Sequence, residues 1–206
     1  MDVHFCDDRG EAGFSWIVDE PATRTSHALA AEGGVWLVDP VRHEPALVRA
    51  RGLGEPRAVL QLLDRHNRDC ASVAAELGVP HVVVPDTVAD SPFETVAVRR
   101  TKRWHETALW WPAARTLVVA EAVGSNSFYA AGGDRVGVHL LMRVRPPSAA
   151  LAPFEPLHLL LGHGEGLHGQ DATTELHDAL EHALSGLPRI VLRLPALVVD
   201  AIRRRR

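Results

Sequence analysis

The sequence predicts a mixed α/β fold, and three features of its hydrophobic pattern support this prediction. Apolar runs of strand length open the chain, and two of them are joined by Gly33-Gly34, which is a hairpin signal. The middle of the chain then reads as strand, polar loop, helix and strand. A second series of strand-like runs follows and ends in a glycine-rich loop and a helix. Strands that alternate with helices in this way are typical of α/β proteins.

The first β block contains three predicted strands. The Gly33-Gly34 link between the second and third favours a tight turn, so we expect this block to be antiparallel. The runs are FSWIVDE at 14–20, SHALAAE at 26–32 and VWLVDP at 35–40.

A βαβ unit follows the first block. A helix starts near Glu44, with Pro45 in its first turn, and leads into the strand RAVLQLL at 57–63. The polar loop LLDRHNRDCA, a helix over 72–78 and the strand PHVVVP come next. Parallel units of this kind bind ligands where the first strand ends, so this loop is the first candidate site.

The second β block predicts three more strands, then a glycine-rich loop, a buried strand that runs into the loop GHGEG, and a helix. In that helix, apolar residues recur with the spacing of one helical face. The last apolar segment, RIVLRLPALVVDAI, is ambiguous between helix and strand. These segments are 93–99, 103–111, 115–123, 130–133, 156–166 and 173–184.

Side chains that can bind a cation occur at or near the ends of several predicted strands. Strand ends bring distant parts of a chain together, so the pattern carries more information than any one residue. A single histidine in such a place is more often a hydrogen-bonded structural residue, but a carboxylate in an apolar strand needs a partner. The residues are Asp64, His66, Asp69, His105, Glu121 and His163.

The order of these residues resembles the metallo-β-lactamase fold superfamily. Its hallmarks are His-x-His-x-Asp-His after a central strand, a later histidine, a carboxylate at the end of the next strand, and a Gly-His-Gly loop. In LLDRHNRDCA, Asp64 stands at the first histidine, His66 at the second, Arg68 at the aspartate and Asp69 at the last histidine. The remaining positions correspond to His105, Glu121 and His163.

The resemblance implies an αββα sandwich of two mixed β-sheets with helices on the outer faces, and a site at the edge that the sheets share. We expect one domain over 1–206, with an N-terminal β segment at 1–25 and a C-terminal segment at 187–206 that carries a basic tail. At 46% apolar content the chain can form one continuous core.

The altered motif implies a site that holds at most one metal ion, Zn²⁺, Mn²⁺ or Fe²⁺, and the metal-free state is the alternative. Arg68 cannot be a ligand, and its charge disfavours a second cation while pairing with Glu121, Asp69 or Asp64. Replacing Arg68 with Asp is accordingly predicted to increase metal uptake. The expected ligands are Asp64, His66, His105, Glu121 and His163, with Asp69 and His163 as catalytic groups that handle protons.

The function implied is that of a metallo-β-lactamase-like hydrolase acting on an unidentified small-molecule ester, thioester or phosphoester. The alternative is a non-catalytic, metal-free member of the fold that acts as a binding or structural protein, and a homodimer is left open. Stoichiometric metal binding would distinguish these two interpretations.

Composition excludes several other classes. The formal net charge is −4 and no basic stripe is interleaved with aromatic residues, which argues against nucleic-acid or anionic-membrane partners. The tail at 203–206 is expected to be a solvated terminus. The N-terminus lacks the pattern of a signal peptide and no apolar run is long enough to span a bilayer, so a cytoplasmic location is expected.

Overall fold

A computed structural model of the chain describes residues 2–130 and 133–204, in which a six-stranded sheet packs against a five-stranded sheet. The six-stranded sheet has the strand order β1-β2-β3-β4-β5-β6. Its first four strands are antiparallel, whereas β4, β5 and β6 run parallel. The strands are β1 (Val3–Cys6), β2 (Gly13–Val18), β3 (Thr25–Ala31), β4 (Gly34–Val38), β5 (Glu55–Gln61) and β6 (His81–Val83).

The five-stranded sheet has the order β13-β12-β9-β8-β7, and a two-stranded ribbon of β10 and β11 lies apart from it. In the five-stranded sheet, β9 and β12 are parallel neighbours and the other pairs are antiparallel. The strands are β7 (Glu94–Thr101), β8 (Trp104–Trp111), β9 (Thr116–Val119), β10 (Val123–Gly124), β11 (Gly137–Val138), β12 (His158–Leu161) and β13 (Leu167–His168).

Helices cover the outer faces of the two sheets. On the first sheet, α1 (Glu44–Leu53) and α2 (Cys70–Leu77) bury a second apolar cluster that includes Leu47 and Val73. On the second sheet, α4 (Asp171–Glu181) packs against β12 and β13. Gly78 ends α2 in the left-handed conformation, with φ of 68°, which glycine adopts without a Cβ penalty. The chain also forms α3 (Ser148–Leu151) and α5 (Leu187–Arg204).

This architecture confirms the predicted α/β class and the sandwich of two mixed sheets. The ambiguous last segment lies in the helix α5, although Pro195 stands inside it. Strand β1 lies within the predicted N-terminal β segment at 1–25, but its bounds were not predicted, because they depend on pairing with β2 rather than on the pattern of the strand itself. Part of the predicted loop at 130–133 and the end of the basic tail lie outside the described residues.

Two short contacts join the sheets where the site lies. Leu63 pairs with Glu106, and Arg24 pairs with His163, each as an isolated antiparallel bridge. The loops after β5, β9 and β12 therefore leave the sandwich at one shared edge. Among the described helices, none combines the length and the apolar character that crossing a bilayer requires.

Candidate metal centre

Three of the predicted site residues meet at this edge. The Nε2 atom of His66 lies 2.7 Å from Oε2 of Glu121, and Nε2 of His163 lies 2.9 Å from the same oxygen. One ligand atom from each of the three residues lies within 4.8 Å of the others. We call His66, Glu121 and His163 the Glu121 cluster.

Asp39 orients the first imidazole of the cluster. Its Oδ2 lies 3.1 Å from Nδ1 of His66, and its Oδ1 accepts a hydrogen bond from the backbone N–H of Leu62 at 3.1 Å. Asp39 follows β4 and His66 follows β5, which are parallel neighbours, so both emerge at the same edge. An acceptor at Nδ1 leaves Nε2 directed at Glu121, as in many carboxylate-histidine-metal sites.

The second imidazole is oriented by the backbone. Nδ1 of His163 lies 2.8 Å from the carbonyl oxygen of Ala22. The ring also stacks on Tyr129, with centroids 5.7 Å apart and an interplanar angle of 21°. In both histidines Nδ1 faces an acceptor, so Nε2 is the nitrogen that is presented to the cluster.

The other oxygen of Glu121 faces two further side chains. The hydroxyl of Tyr129 donates a hydrogen bond to Oε1 of Glu121 at 2.8 Å, and Nε2 of His139 lies 3.4 Å from the same atom. Nδ1 of His139 accepts a hydrogen bond from the backbone N–H of Leu141 at 3.2 Å. Both oxygens of the Glu121 carboxylate are thus surrounded by donors.

These contacts set the charge state of the cluster. Burial raises the pKa of Glu121, but the hydrogen bonds from His163 and His66 outweigh it and hold that pKa far below its usual range. Burial and Arg68 lower the pKa of His66, whereas Asp39 and Glu121 raise it, and the net shift is upward. Burial raises the pKa of Asp39, yet His66 lowers it further, and the net shift is downward. His66 therefore lies between two carboxylates that favour its protonated form.

Burial and the nearby Glu121 carboxylate raise the pKa of Tyr129 well above its usual value. The phenol therefore keeps its proton and acts as a hydrogen-bond donor at neutral pH.

The donor set fits one divalent ion. Two imidazole nitrogens and a carboxylate oxygen are the ligand types that Zn²⁺, Mn²⁺ and Fe²⁺ accept. Both Nδ1 atoms face acceptors, so each ring can carry its proton on Nδ1 and present Nε2 as the ligand atom.

Arg68 occupies the place where the family pattern has a ligand, and it links three backbone carbonyls. Its guanidinium donates to the carbonyl oxygens of Thr25, of Asp39 at 2.9 Å and of Gly162 at 3.0 Å. It therefore joins β3, the loop after β4 and the end of β12. Its backbone has φ of 39°, a left-handed conformation that costs a non-glycine residue about 1 kcal/mol and persists only where contacts enforce it.

The expected ion pairs of Arg68 need correction. No hydrogen bond or salt bridge joins it to Glu121, Asp69 or Asp64 in the described parts of the chain, since its two Nη groups donate to the backbone carbonyls instead. The expectation that Arg68→Asp increases metal uptake is lost as well. A carboxylate there would face three carbonyl oxygens instead of a cation.

Asp64 and His105 lie near each other but not in the cluster. The backbone N–H of Asp64 donates to the carbonyl of His105 at 3.0 Å, and the backbone N–H of His105 lies 3.3 Å from Oδ2 of Asp64. Both residues are exposed. Neither reaches the group of side chains that could hold an ion. We call this contact the Asp64-His105 pair.

The pleat of β8 explains the position of His105. Successive side chains of a strand point to opposite faces, and here the inward one belongs to Glu106, which is fully buried. Its Oε1 accepts hydrogen bonds from the backbone N–H groups of Glu121 at 2.8 Å and Ala122 at 2.9 Å. The Glu106 carboxylate thus fixes the backbone at Glu121 and Ala122, whereas the His105 side chain lies on the other face of β8.

Asp69 also lies away from the Glu121 carboxylate. Its Oδ2 accepts a hydrogen bond from the backbone N–H of Arg42 at 2.8 Å, and the residue precedes α2. The carboxylate therefore supports the loop after β4. Among the described residues, no hydrogen bond joins Asp69 to His66 or His163, so its expected role in proton transfer has no structural support.

Sequence reasoning missed Asp39, Tyr129 and His139. Asp39 had a usable signal, since it ends the predicted strand VWLVDP beside the βαβ unit and parallel strands end at the same edge. Tyr129 and His139 are in connecting segments without regular periodicity, where the sequence gives no indication of spatial position.

The fold has counterparts among solved structures. The metallo-β-lactamase DIM-1 superimposes with a TM-score of 0.56 at 13% identity, covering 89% of this chain and 99% of that one. The structure of TMB-1 gives 0.53 at 9% identity, covering 89% and 99%. A metallo-β-lactamase from Hirschia baltica gives 0.53 at 10% identity, covering 85% and 96%. The chain therefore has the metallo-β-lactamase fold.

Sequence comparison adds no narrower assignment. No protein-family model matches the chain. No curated protein matches it significantly either. Identities of 9–13% to the structural neighbours agree with a divergent sequence on this fold.

Proposed function

We propose that the protein is a metallo-β-lactamase-like hydrolase with a single divalent ion at His66, Glu121 and His163. The observation that carries this proposal is the convergence of the three ligand atoms within 4.8 Å of one another. Outer acceptors fix both rings so that Nε2 faces the shared carboxylate oxygen. The substrate class implied by the fold is an ester, a thioester or a phosphoester.

We propose one ion rather than two because Arg68 stands where the second ion would need a ligand. A guanidinium stays protonated in proteins and cannot coordinate a cation. At an effective dielectric constant of about 20, two unit charges 4 Å apart interact by about 4 kcal/mol, and a divalent ion doubles that repulsion. A second ion in the place of this side chain would also displace its three carbonyl contacts.

The chain's own residues have separate roles in this proposal. Asp39 orients the imidazole of His66 and the carbonyl of Ala22 orients that of His163. The Glu121 carboxylate lies between the two rings as the third ligand. The hydroxyl of Tyr129 and Nε2 of His139 supply donors beside the reacting group. When bound, a divalent ion supplies positive charge that polarises an acyl or phosphoryl oxygen. His163 binds the ion through Nε2 while its Nδ1 faces the carbonyl of Ala22, so we propose it as a ligand and no longer as a group that handles protons.

A metal-free binding protein is the second candidate, and one observation favours it. Glu121 already has donors at both oxygens: His66, His163, Tyr129 and His139. A carboxylate satisfied in this way does not need an ion for neutralisation. The cluster could then serve to stabilise the cleft edge for a ligand.

Metal analysis of the purified protein decides between the two candidates. The protein is supplemented in turn with Zn²⁺, Mn²⁺ and Fe²⁺ under anaerobic conditions, dialysed, and measured by elemental analysis and titration calorimetry. We expect close to one equivalent of one of these ions in the wild type and in His105→Gln, and none in Glu121→Gln.

Two results would contradict the proposal. Absence of stoichiometric metal in the folded wild type would leave the metal-free binding protein. Two equivalents would mean that Arg68 does not prevent the second ion.

A further inference from the structure

An apolar pocket lies directly beside the Glu121 cluster. It has a volume of about 380 Å³, and its polar end is formed by Glu121, Asn126, Tyr129, His139 and His163. Pockets of this size bind small organic ligands. Its other walls are mainly apolar and consist of Pro21, Ala22, Phe128, Leu140, Leu141 and Leu194.

The charge of the lining selects against a phosphoester. Phosphate sites in proteins surround the phosphoryl oxygens with arginine, lysine or helix N-terminal N–H groups. The described lining contains neither arginine nor lysine. Its one acidic side chain is that of Glu121. A phosphate group in this pocket would have no arginine or lysine of the lining to pair with and would lie beside the Glu121 carboxylate.

The donors at the polar end suit an uncharged acceptor. Nδ1 of His139 accepts from the backbone N–H of Leu141, so a neutral ring carries its proton on Nε2. Nε2 of His139 lies 3.4 Å from Oε1 of Glu121 and the Tyr129 hydroxyl donates to the same oxygen at 2.8 Å, so both groups lie at the polar end of the pocket. Neutral donors placed beside a reacting centre are suited to a carbonyl oxygen that gains negative charge.

We infer that the substrate is an uncharged ester or thioester whose apolar acyl chain lies in this pocket, with its carbonyl oxygen directed at His139 and Tyr129. This inference rests on the proposed hydrolase function and specifies its substrate class. The reaction adds a water oxygen to the acyl carbon and breaks the acyl C–O or C–S bond. The products are a carboxylic acid and an alcohol or thiol that takes up a proton, with no change of oxidation state.

Binding of non-hydrolysable amides tests the pocket without any turnover. Acetamide, butanamide, hexanamide and octanamide are titrated into the protein with and without Zn²⁺, by calorimetry or by protein NMR shifts. A fully buried methylene strengthens binding by about fourfold, so we expect affinity to increase with chain length by up to that factor per CH₂ until the pocket is filled. In the metal-free protein, octyl phosphate is expected to bind more weakly than octanamide.

Two matched variants locate the binding site. Leu141 is 73% exposed at the pocket rim, and Leu192 is 81% exposed and does not line the pocket. Leu141→Ser should weaken octanamide binding several-fold and leave acetamide binding unchanged, whereas Leu192→Ser should change neither. Thermal unfolding of both variants confirms that they are folded.

Hydrolysis of the corresponding p-nitrophenyl esters and of p-nitrophenyl phosphate completes the test. Amide affinity and ester kcat/KM that increase together with chain length support both proposals. Amide affinity that increases while no ester is cleaved in the metal-loaded protein overturns the hydrolase function and retains the acyl pocket. Affinity that does not depend on chain length, or cleavage of the phosphate in preference to the esters, overturns the acyl-chain inference.

Discussion

The Glu121 cluster and the Asp64-His105 pair lie at the same edge of the sandwich and differ in which atoms make their contacts. In the cluster, side-chain atoms of three residues meet at one carboxylate oxygen. In the pair, backbone groups of both residues make the bonds, joined by one side-chain oxygen of Asp64, and the ring of His105 is exposed. Two candidate ligand residues whose backbones are in contact therefore do not form a metal site unless their side chains converge.

The difference arises from the face of the strand on which each side chain lies. In β8 the buried face beside the cluster is used by Glu106, which binds the backbone N–H groups of Glu121 and Ala122. Burial raises the pKa of Glu106 despite these bonds. Strand β8 thus supports the backbone at this edge, whereas the ligand set follows the ends of β5 in the first sheet and of β9 and β12 in the second.

The largest effect is expected from Arg68→Asp. The change leaves the carbonyls of Thr25, Asp39 and Gly162 without their donor and adds a carboxylate beside them, so we expect the free energy of unfolding to fall by about 4 kcal/mol. Metal uptake should not increase above one equivalent. Urea denaturation and elemental analysis measure the two quantities.

Arg103→Asp is the control for this substitution, because Arg103 is exposed. Its effect on stability should stay within about 0.5 kcal/mol. A stable Arg68→Asp protein that binds a second ion would show that the carbonyl contacts do not hold this edge together.

Glu121→Gln is expected to have the next largest effect. It removes the charge shared by His66 and His163, and breaking a buried ion pair from one side costs about 3 kcal/mol. The variant should be destabilised by that amount in the metal-free state and should bind no ion. Asp64→Asn in the Asp64-His105 pair should change stability by less than about 1 kcal/mol, since its one salt bridge, to Arg65, is exposed. Equal losses in the two variants would contradict the distinction between the two regions.

The sequence predicted more of this fold than of its site, and particular residues show why. Buried apolar runs and the Gly33-Gly34 turn allowed most strands to be predicted. The rule that strand ends converge predicted that His66, Glu121 and His163 lie together. The sequence did not predict on which face of β8 the side chain of His105 lies. The register of β7 against β8 shifts between Ala97 and Arg99, opposite Glu106 and Thr107, and such a bulge changes the local orientation of side chains.

The metal affinities of His163→Gln and His105→Gln should separate the two regions most directly. Loss of a ligand is expected to weaken binding by at least about 100-fold, which corresponds to about 2.7 kcal/mol, and His163→Gln should show it. His105→Gln should bind metal like the wild type, because His105 does not reach the cluster. Titration calorimetry with the ion that binds the wild type gives both constants. Weakened binding in His105→Gln would place its ring in the site and contradict the separation.

The smallest effect that we expect concerns acid stability and extends the comparison to a third buried histidine. His66 lies between two carboxylates, whereas His27 contacts Ser15 at 2.7 Å, and its buried Nε2 has no hydrogen-bond partner within the described parts of the chain. Burial lowers the pKa of His27 to about 4, although Asp7 opposes the shift. An unfolded histidine titrates near pH 6.5, so between pH 6.5 and 4 the unfolded state binds a proton that the folded state excludes.

Acid therefore favours unfolding through this residue. Its contribution is fully present above pH 6.5 and is lost progressively toward pH 4, by about 2 kcal/mol at pH 5. His66, with its raised pKa, acts in the opposite direction, since its contribution is present at low pH and is lost as the pH rises through its folded pKa. Urea denaturation of the wild type and His27→Gln between pH 7.5 and 4.5 measures the difference. The variant should lose less stability on acidification, and parallel pH profiles would mean that His27 is not excluded from protonation in the folded protein.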